Sequence, residues 1–221
     1  MDETDGNGAG RPGGLRELKK ARTRQNISDT AIELFLRRGF DQVPVAEIAA
    51  AAEVSKPTLF RYFPAKEDLA LHRFADHEGE FARVVRDAAG DRPPLTALHR
   101  HCAAGLDARD PVSGLNDSPE VLAYLALLYS APSLVARLAE YTVRDQEALA
   151  GALREASAAA SGDLLPQLAA AQIISVHRVL AQANWRKLAD GRSADEVHPE
   201  AVAELDLAFG LLRQGLAARF G

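Results

Sequence analysis

The sequence predicts an all-α protein, with a three-helix N-terminal head followed by a longer helical-bundle body, and three observations carry that prediction. Apolar residues recur at spacings of three and four along most of the chain. Glycine, proline, serine and aspartate cluster between those stretches, where helices are capped and stopped. Strands have no foothold, because no segment shows the alternation that a half-buried strand needs. With 221 residues, 47% of them hydrophobic and 26% charged, the chain can bury a core.

Residues 1–14 hold five glycines, one proline and nothing apolar larger than alanine after Met1, so they are expected to form a disordered tail. Helical patterning begins at Leu15, with Ile27, Ala31, Leu34 and Phe35 on one stripe, and Gly39 after Arg37 and Arg38 ends it. Pro44 opens a short second helix from Val45 to about Ala52, on which Val45, Ile48, Ala49 and Ala52 share a face. Glu53-Val54 makes a turn, and Ser55 caps a third helix with Pro57 in its first turn. Pro64 and the acids Glu67 and Asp68 start a fourth helix, expected to run to about Ala88. Later breaks fall at Gly90–Pro94, Asp110–Pro119, Ser161–Gly162 and Asp190–Ser193, and Pro132 divides or kinks the apolar stretch that Ser118-Pro119-Glu120 opens. On the last helix, about 195–219, Val202, Leu205, Phe209, Leu212 and Leu216 form a packing seam that Leu207 and Leu211 widen. The expected division is a tail at 1–14, a head at 15–63 and a body at 64–221.

Charge is uneven along the chain, whose net charge is -5. Residues 11–63 hold ten Lys/Arg against six Asp/Glu, whereas residues 64–221 hold sixteen against twenty-two. A basic head on an acidic body suits a module that meets a polyanion, although chance scatter gives similar splits. No run approaches the roughly 20 apolar residues of a membrane span, so no membrane partner is expected. The single Cys102 excludes an internal disulfide and a cysteine metal cluster, and the opening MDETDGNGAG resembles no secretory signal, so a cytoplasmic location is expected.

Two short helices around a tight turn, the second beginning Ser55-Lys56-Pro57-Thr58, form a helix-turn-helix. Such a turn brings the start of the third helix into the DNA major groove, where short polar or basic side chains reach base edges. Ala49, Ala50 and Val54 are small enough for close packing behind it, while Leu59 and Phe63 point toward Phe35 and Ile48.

These segments resemble the TetR-type transcriptional regulator family. The resemblance is carried by A-x-x-L-F-x-x-x-G-F from Ala31 to Phe40, V-x-x-I-A from Val45 to Ala49, V-S-K-P-T-L-F-R-Y-F from Val54 to Phe63, and K-E-x-L from Lys66 to Leu69. It implies a ligand-binding and dimerising body, and a repressor that binds a palindromic double-stranded DNA operator as a homodimer until a small-molecule effector, of unknown identity, releases it. It also implies that helix four is the lever. Residue by residue, it assigns Lys56, Pro57, Thr58 and Arg61 to the exposed face of the recognition helix, Tyr62 to a phosphate or groove edge, and Lys66 to a phosphate clamp. Phe60 stands where the family has a tyrosine hydroxyl, and Val43-Pro44 replaces threonines that cap helix two. The basic run Arg16, Lys19, Lys20, Arg22 and Arg24 either compensates by gripping the backbone or minor groove or is a solvated helix face. The dimer is expected to form through helices at about 163–189 and 195–219, as a four-helix interface.

No catalytic constellation stands out, so no enzyme, cofactor or metal is expected. The six histidines, His72, His77, His99, His101, His177 and His198, lie at spacings that turn through about 140° or 200° on a helix and share no face. Cys102 beside Arg100 and His101 is a sensor or simple packing. Ile173, His177, Leu180, Asn184 and Leu188 form one stripe, whose two polar members bond across a dimer, line an effector pocket beside Trp185, or are satisfied within the bundle. Tyr124, Tyr129 and Tyr141 line a cavity or pack with a hydroxyl at the core edge. The ligand candidates are Tyr124, His177, Asn184 and Trp185. The competing functional readings are a helical ligand-binding or scaffolding protein with a vestigial head, and an enzyme with a helical body, which requires convergent acid and base groups.

Overall fold

A computed structural model gives the structure of residues 12–157 and 162–220. Among these the chain forms ten α-helices and no strand. They are α1 (Pro12–Arg38), α2 (Val45–Ala51), α3 (Lys56–Tyr62), α4 (Lys66–Ala75), α5 (Glu80–Asp87), α6 (Pro94–Asp107), α7 (Pro119–Ser130), α8 (Pro132–Ser157), α9 (Leu165–Ala189) and α10 (Ala194–Phe220), with a 3-10 turn at Pro111–Ser113. The tail expected at 1–14 lies outside the described residues as far as residue 11, and α1 takes in 12–14. Of the break expected at Ser161–Gly162, Ser161 is also outside them. The chain divides after Ala70, within α4, into two compact units.

In the first unit, Ile27, Ala31 and Phe35 are buried on the inner stripe of α1, and Ser28 is buried beside them with its hydroxyl donating to the Leu69 carbonyl at 2.9 Å. Gly39, at φ +87°, ends α1 as the left-handed cap, its N–H reaching the Phe35 carbonyl at 2.7 Å. Ile48 and Ala49 on α2 and Ala52 at its end are buried, whereas Ala50 is exposed, so close packing behind α3 rests on Ala49 and Ala52. The turn between α2 and α3 takes Glu53 into the left-handed region at φ 56°, which directs the Val54 N–H back to the Ala49 carbonyl at 2.9 Å.

The single helix expected from 64 to about 88 is two, α4 and α5. The polar run Asp76-His77-Glu78-Gly79 offers no apolar side chain to a core, and Gly79 turns left-handed at φ +71°. The Asp145 carboxylate accepts the N–H of Gly79 at 2.8 Å and fixes the break. Pro132 does divide its stretch: Ala131 is extended, and α7 and α8 meet at 97°. Inward faces of α5, α6, α8, α9 and α10 build one core, with Phe81, Leu98, Leu149, Ile173 and Phe209 among its members. The α10 seam is spent there. Leu205, Phe209, Leu212 and Leu216 are buried inside the chain's own core, while Leu207 and Leu211 stay 67% and 61% exposed. Among the described residues no single helix is long and apolar enough to cross a membrane.

Candidate nucleic-acid interface and body cavity

The outward face of α3 follows from its inward one. Leu59 and Phe63 are fully buried, which leaves Lys56, Pro57, Phe60 and Arg61 exposed and Thr58 and Tyr62 at the edges. The Ser55 hydroxyl caps the helix by accepting the Thr58 N–H at 3.2 Å and lies 2.8 Å from the Thr58 hydroxyl, which holds that side chain in one orientation. Lys56 spreads its ammonium over the Phe60 ring at 5.9 Å, and the Arg61 guanidinium lies 5.7 Å from the Tyr62 ring. Phe60 is 38% exposed, an apolar surface among cations.

Beside α3 an open groove is lined by Arg16, Lys19, Lys20 and Thr23 of α1 and by Arg61 and Tyr62. Glu17 is its one acidic member, so the groove is net positive. The first three residues of the basic run thus meet the recognition helix. Arg24 instead lies 5.3 Å from the Phe63 ring, and Arg22 is exposed but outside the groove lining. Lys66 is occupied within the fold: its ammonium donates to the Phe40 carbonyl and sits 4.4 Å from the Phe40 ring centre. Burial lowers its pKa, against the raising pull of Asp41 and Glu67.

A second site lies in the body. A cavity of about 120 Å³ is walled by Phe74, Phe81, Tyr129, Tyr141, His177 and Trp185. The wall closes at Gly114, where a Cβ would stand 1.9 Å from the Ala181 carbonyl oxygen, so only glycine at φ +72° brings the 3-10 turn against α9. Tyr129 and Trp185 face each other with ring centres 4.8 Å apart, and the Trp185 Nε1 is buried with no hydrogen-bond partner among the described residues. The imidazole of His177 lies 4.9 Å from the Phe81 ring, and burial together with neighbouring His101 pushes it down to about 4.

Acidic groups gather where α5 begins. Glu80 accepts from His77 at 2.7 Å and pairs with His101 at 3.2 Å, and the hydrogen bond from His101, then that from His77, holds its carboxyl far below the ordinary range. The bond to Glu80 raises His77. Burial pushes Asp145 upward, opposed by the Gly79 N–H.

The ligand candidates are therefore divided. His177 and Trp185 line the cavity, and Tyr129 and Tyr141 join them. Tyr124 is buried outside the lining, its ring 6.3 Å from Phe74, and Asn184 donates from Nδ2 to the Ser113 carbonyl at 3.0 Å, within the bundle. Asp145 and Glu80 were not legible in the sequence, because what gathers them is the break before α5. Cys102 is buried in the core, and desolvation lifts its thiol to about 12, which suits packing rather than sensing. Among the described residues no group of three or more His, Cys, Asp or Glu is placed to hold a metal ion.

Comparison with known proteins matches these features. The profile of "Bacterial regulatory proteins, tetR family" matches residues 27–72, which span the helix-turn-helix. The HTH-type transcriptional regulator TcmR of Streptomyces glaucescens is 33% identical over 183 residues, covering 80% of this chain and 79% of TcmR. FadR of Thermus thermophilus, a TetR-family transcriptional repressor solved with lauroyl-CoA, superposes with a TM-score of 0.51 at 25% identity, over 87% of this chain and 94% of its own. NalD of Pseudomonas aeruginosa, the secondary repressor of the MexAB-OprM multidrug efflux pump, shares the fold at 18% identity and a TM-score of 0.55, over 85% and 96% of the two chains. The exposed recognition helix, the helical body and a likeness to TcmR that runs through both together make this chain a DNA-binding transcriptional regulator of the tetR family.

Proposed function

We propose that the protein is a repressor that binds a palindromic operator as a homodimer and is released when a small molecule fills the body cavity. The observation that carries the reading is the polar and cationic face of α3, left open to solvent while Leu59 and Phe63 anchor its back. One seven-residue helix makes few base contacts, and two-fold pairing sets two of them on successive turns of the duplex, about 34 Å apart. Exposed Leu168 and Val179 on α9 and Leu207 and Leu211 on α10 supply apolar surface for a mate along the helices expected to pair. The head is the residues through Phe63 with the start of α4, and α4 carries the chain onward to Phe74 in the cavity wall, which supports its role as the lever. The likeness to FadR, a repressor solved with a small molecule, agrees with an effector-released regulator.

Within the interface, Thr58, Lys56 and Arg61 face the bases, Pro57 lets the backbone approach, and Tyr62 with Arg16, Lys19, Lys20, Arg22 and Arg24 holds phosphates. Lys66, engaged with the Phe40 carbonyl, supports the fold of the head and adds a positive field rather than a direct clamp. Gel shifts across a salt series, on the site selected by the protein from random duplexes, test the reading. Lys19→Ala is expected to weaken binding to all sequences alike and to flatten the salt slope by about 0.9. Thr58→Ala leaves the slope unchanged and relaxes the preference at one position of each half-site, at roughly 1–3 kcal/mol of discrimination. Failure to enrich any two-fold symmetric site would overturn the proposal.

A further inference from the structure

The body cavity joins aromatic walls to a carboxylate that forms no salt bridge among the described residues. Asp145 accepts one hydrogen bond, from the Gly79 N–H, and makes no ion pair among the described residues. Against the raising effect of burial, Arg144 and Arg83 pull its pKa down through space, but each makes its direct bond to another group. Arg144 pairs with the Glu78 carboxylate at 3.1 Å and lies over the Tyr141 ring at 4.1 Å, and Arg83 donates to the Glu78 backbone carbonyl at 2.8 Å. Glu80, the second acid of the lining, is saturated by His77 and His101. Arg178, the one arginine of the lining, donates to the Thr142 hydroxyl at 3.3 Å, and its charge acts on Tyr129, whose pKa burial raises and Arg178 lowers. The lining therefore has a carboxylate at Asp145, beside the start of α5, and an aromatic wall of Tyr129 and Trp185.

Resting on the reading of this cavity as the effector site, we infer that the effector is an aromatic amine in its cationic form, its ring held by Tyr129 and Trp185 and its ammonium directed to Asp145. Three physical arguments select that class. A carboxylate facing a partly desolvated cavity gains most from a cation, since attraction strengthens as water is excluded. Aromatic faces carry negative charge and favour the same ligand. About 120 Å³ is close to the 150 Å³ or so that accommodates one benzene ring, so the cavity takes a compact aromatic core. The same features disfavour an acyl-CoA, the ligand of the FadR structure: its phosphates gain nothing from a carboxylate, and its chain exceeds a space of about 120 Å³. This chain thus diverges in effector class from a relative whose fold it shares.

The sole tryptophan of the chain stands in the cavity wall and reports binding directly. Its fluorescence is followed while the purified protein, free of DNA, is titrated with phenethylammonium, 2-phenylethanol, phenylacetate and lauroyl-CoA. The expected order is the ammonium tighter than the alcohol by about tenfold or more, with phenylacetate and lauroyl-CoA weakest. Asp145→Asn, which keeps an oxygen for the Gly79 N–H, is expected to remove the preference for the ammonium while leaving the alcohol unchanged. Equal or tighter binding of phenylacetate or lauroyl-CoA, or no binding by any of the four, overturns the inference. The wild-type series stands without the variant, and the absence of DNA separates this result from success or failure of operator selection.

Discussion

At the scale of single residues, one position holds a conformation that its backbone disfavours, and another a charge state that burial selects. Glu53 is exposed and turns left-handed at φ 56° to close the helix-turn-helix, a region costing an L-residue roughly 1–2 kcal/mol. Glu53→Gly relieves that strain but gives the unfolded chain more freedom, so a net gain of about 0.5–1 kcal/mol is expected, read as a rise in the urea midpoint at unchanged slope. A loss of stability would mean that the Glu53 side chain, and not the turn, holds the motif. His177 is the second. Its neutral form is favoured in the fold, because burial and His101 depress it from 6.5 to about 4. The unfolded chain therefore takes up the proton first, and stability falls as pH drops from about 6.5 through 4, by up to the order of 3 kcal/mol. His77 works in the opposite sense: raised by its bond to Glu80, it adds stability below pH 6.5 that is lost as pH climbs through its folded value. His177→Gln removes the first contribution alone. The variant is expected to lose less stability than the parent between pH 7 and pH 4.5 in paired urea titrations, and equal losses would assign the acid sensitivity elsewhere.

At the scale of elements, periodicity told where apolar faces lie but not what covers them. The stripe Val202, Leu205, Phe209, Leu212 and Leu216 reads in the sequence as a seam for a second copy, yet four of its members close the core of their own chain. A 3.6-residue period is the same for an internal and an intermolecular neighbour, so the sequence could not tell them apart. Leu207 and Leu211, which looked like its margin, are the exposed pair. The helix-turn-helix was legible almost to the residue, because caps, proline and glycine act locally: Ser55 caps α3 and Gly39 ends α1 as the chain itself dictates. The break at 76–79 was not, since Gly79 sits in an otherwise helix-compatible run and its partner Asp145 is 66 residues away. With that break went the acidic end of the cavity. The exposed pair carries its own prediction: Leu207→Glu with Leu211→Glu is expected to leave the fold intact, because neither side chain is buried, and to turn a dimer into a monomer in sedimentation velocity. Operator affinity then falls on the order of a hundredfold as the second head loses its tether. A dimer that survives both charges would move the interface to another face.

At the scale of the whole molecule, the sequence divides its charge as the proposed work requires. The segment that holds the recognition helix carries an excess of four positive charges, and residues 64–221 an excess of six negative ones, so phosphates attract the first and repel the second. Specific binding adds base contacts to this salt-sensitive attraction, and release must overcome both. A ligand in the body shifts the operator equilibrium only by its differential affinity for the DNA-competent and DNA-incompetent states, and roughly 5.5 kcal/mol separates nearly full occupancy from nearly full release. Coupling of that kind is reciprocal. Phenethylammonium at saturation is therefore expected to raise the operator Kd, and operator DNA at saturation to raise the Kd of phenethylammonium by the same factor, within the 5- to 150-fold or so usual for coupled sites. Fluorescence anisotropy of labelled operator gives the first number and Trp185 fluorescence the second, at one salt concentration. Unequal factors would mean that the amine acts on the DNA or at a second place on the protein. A factor of one in both directions would leave the cavity occupied but uncoupled, and the release of the operator would then need a different cause.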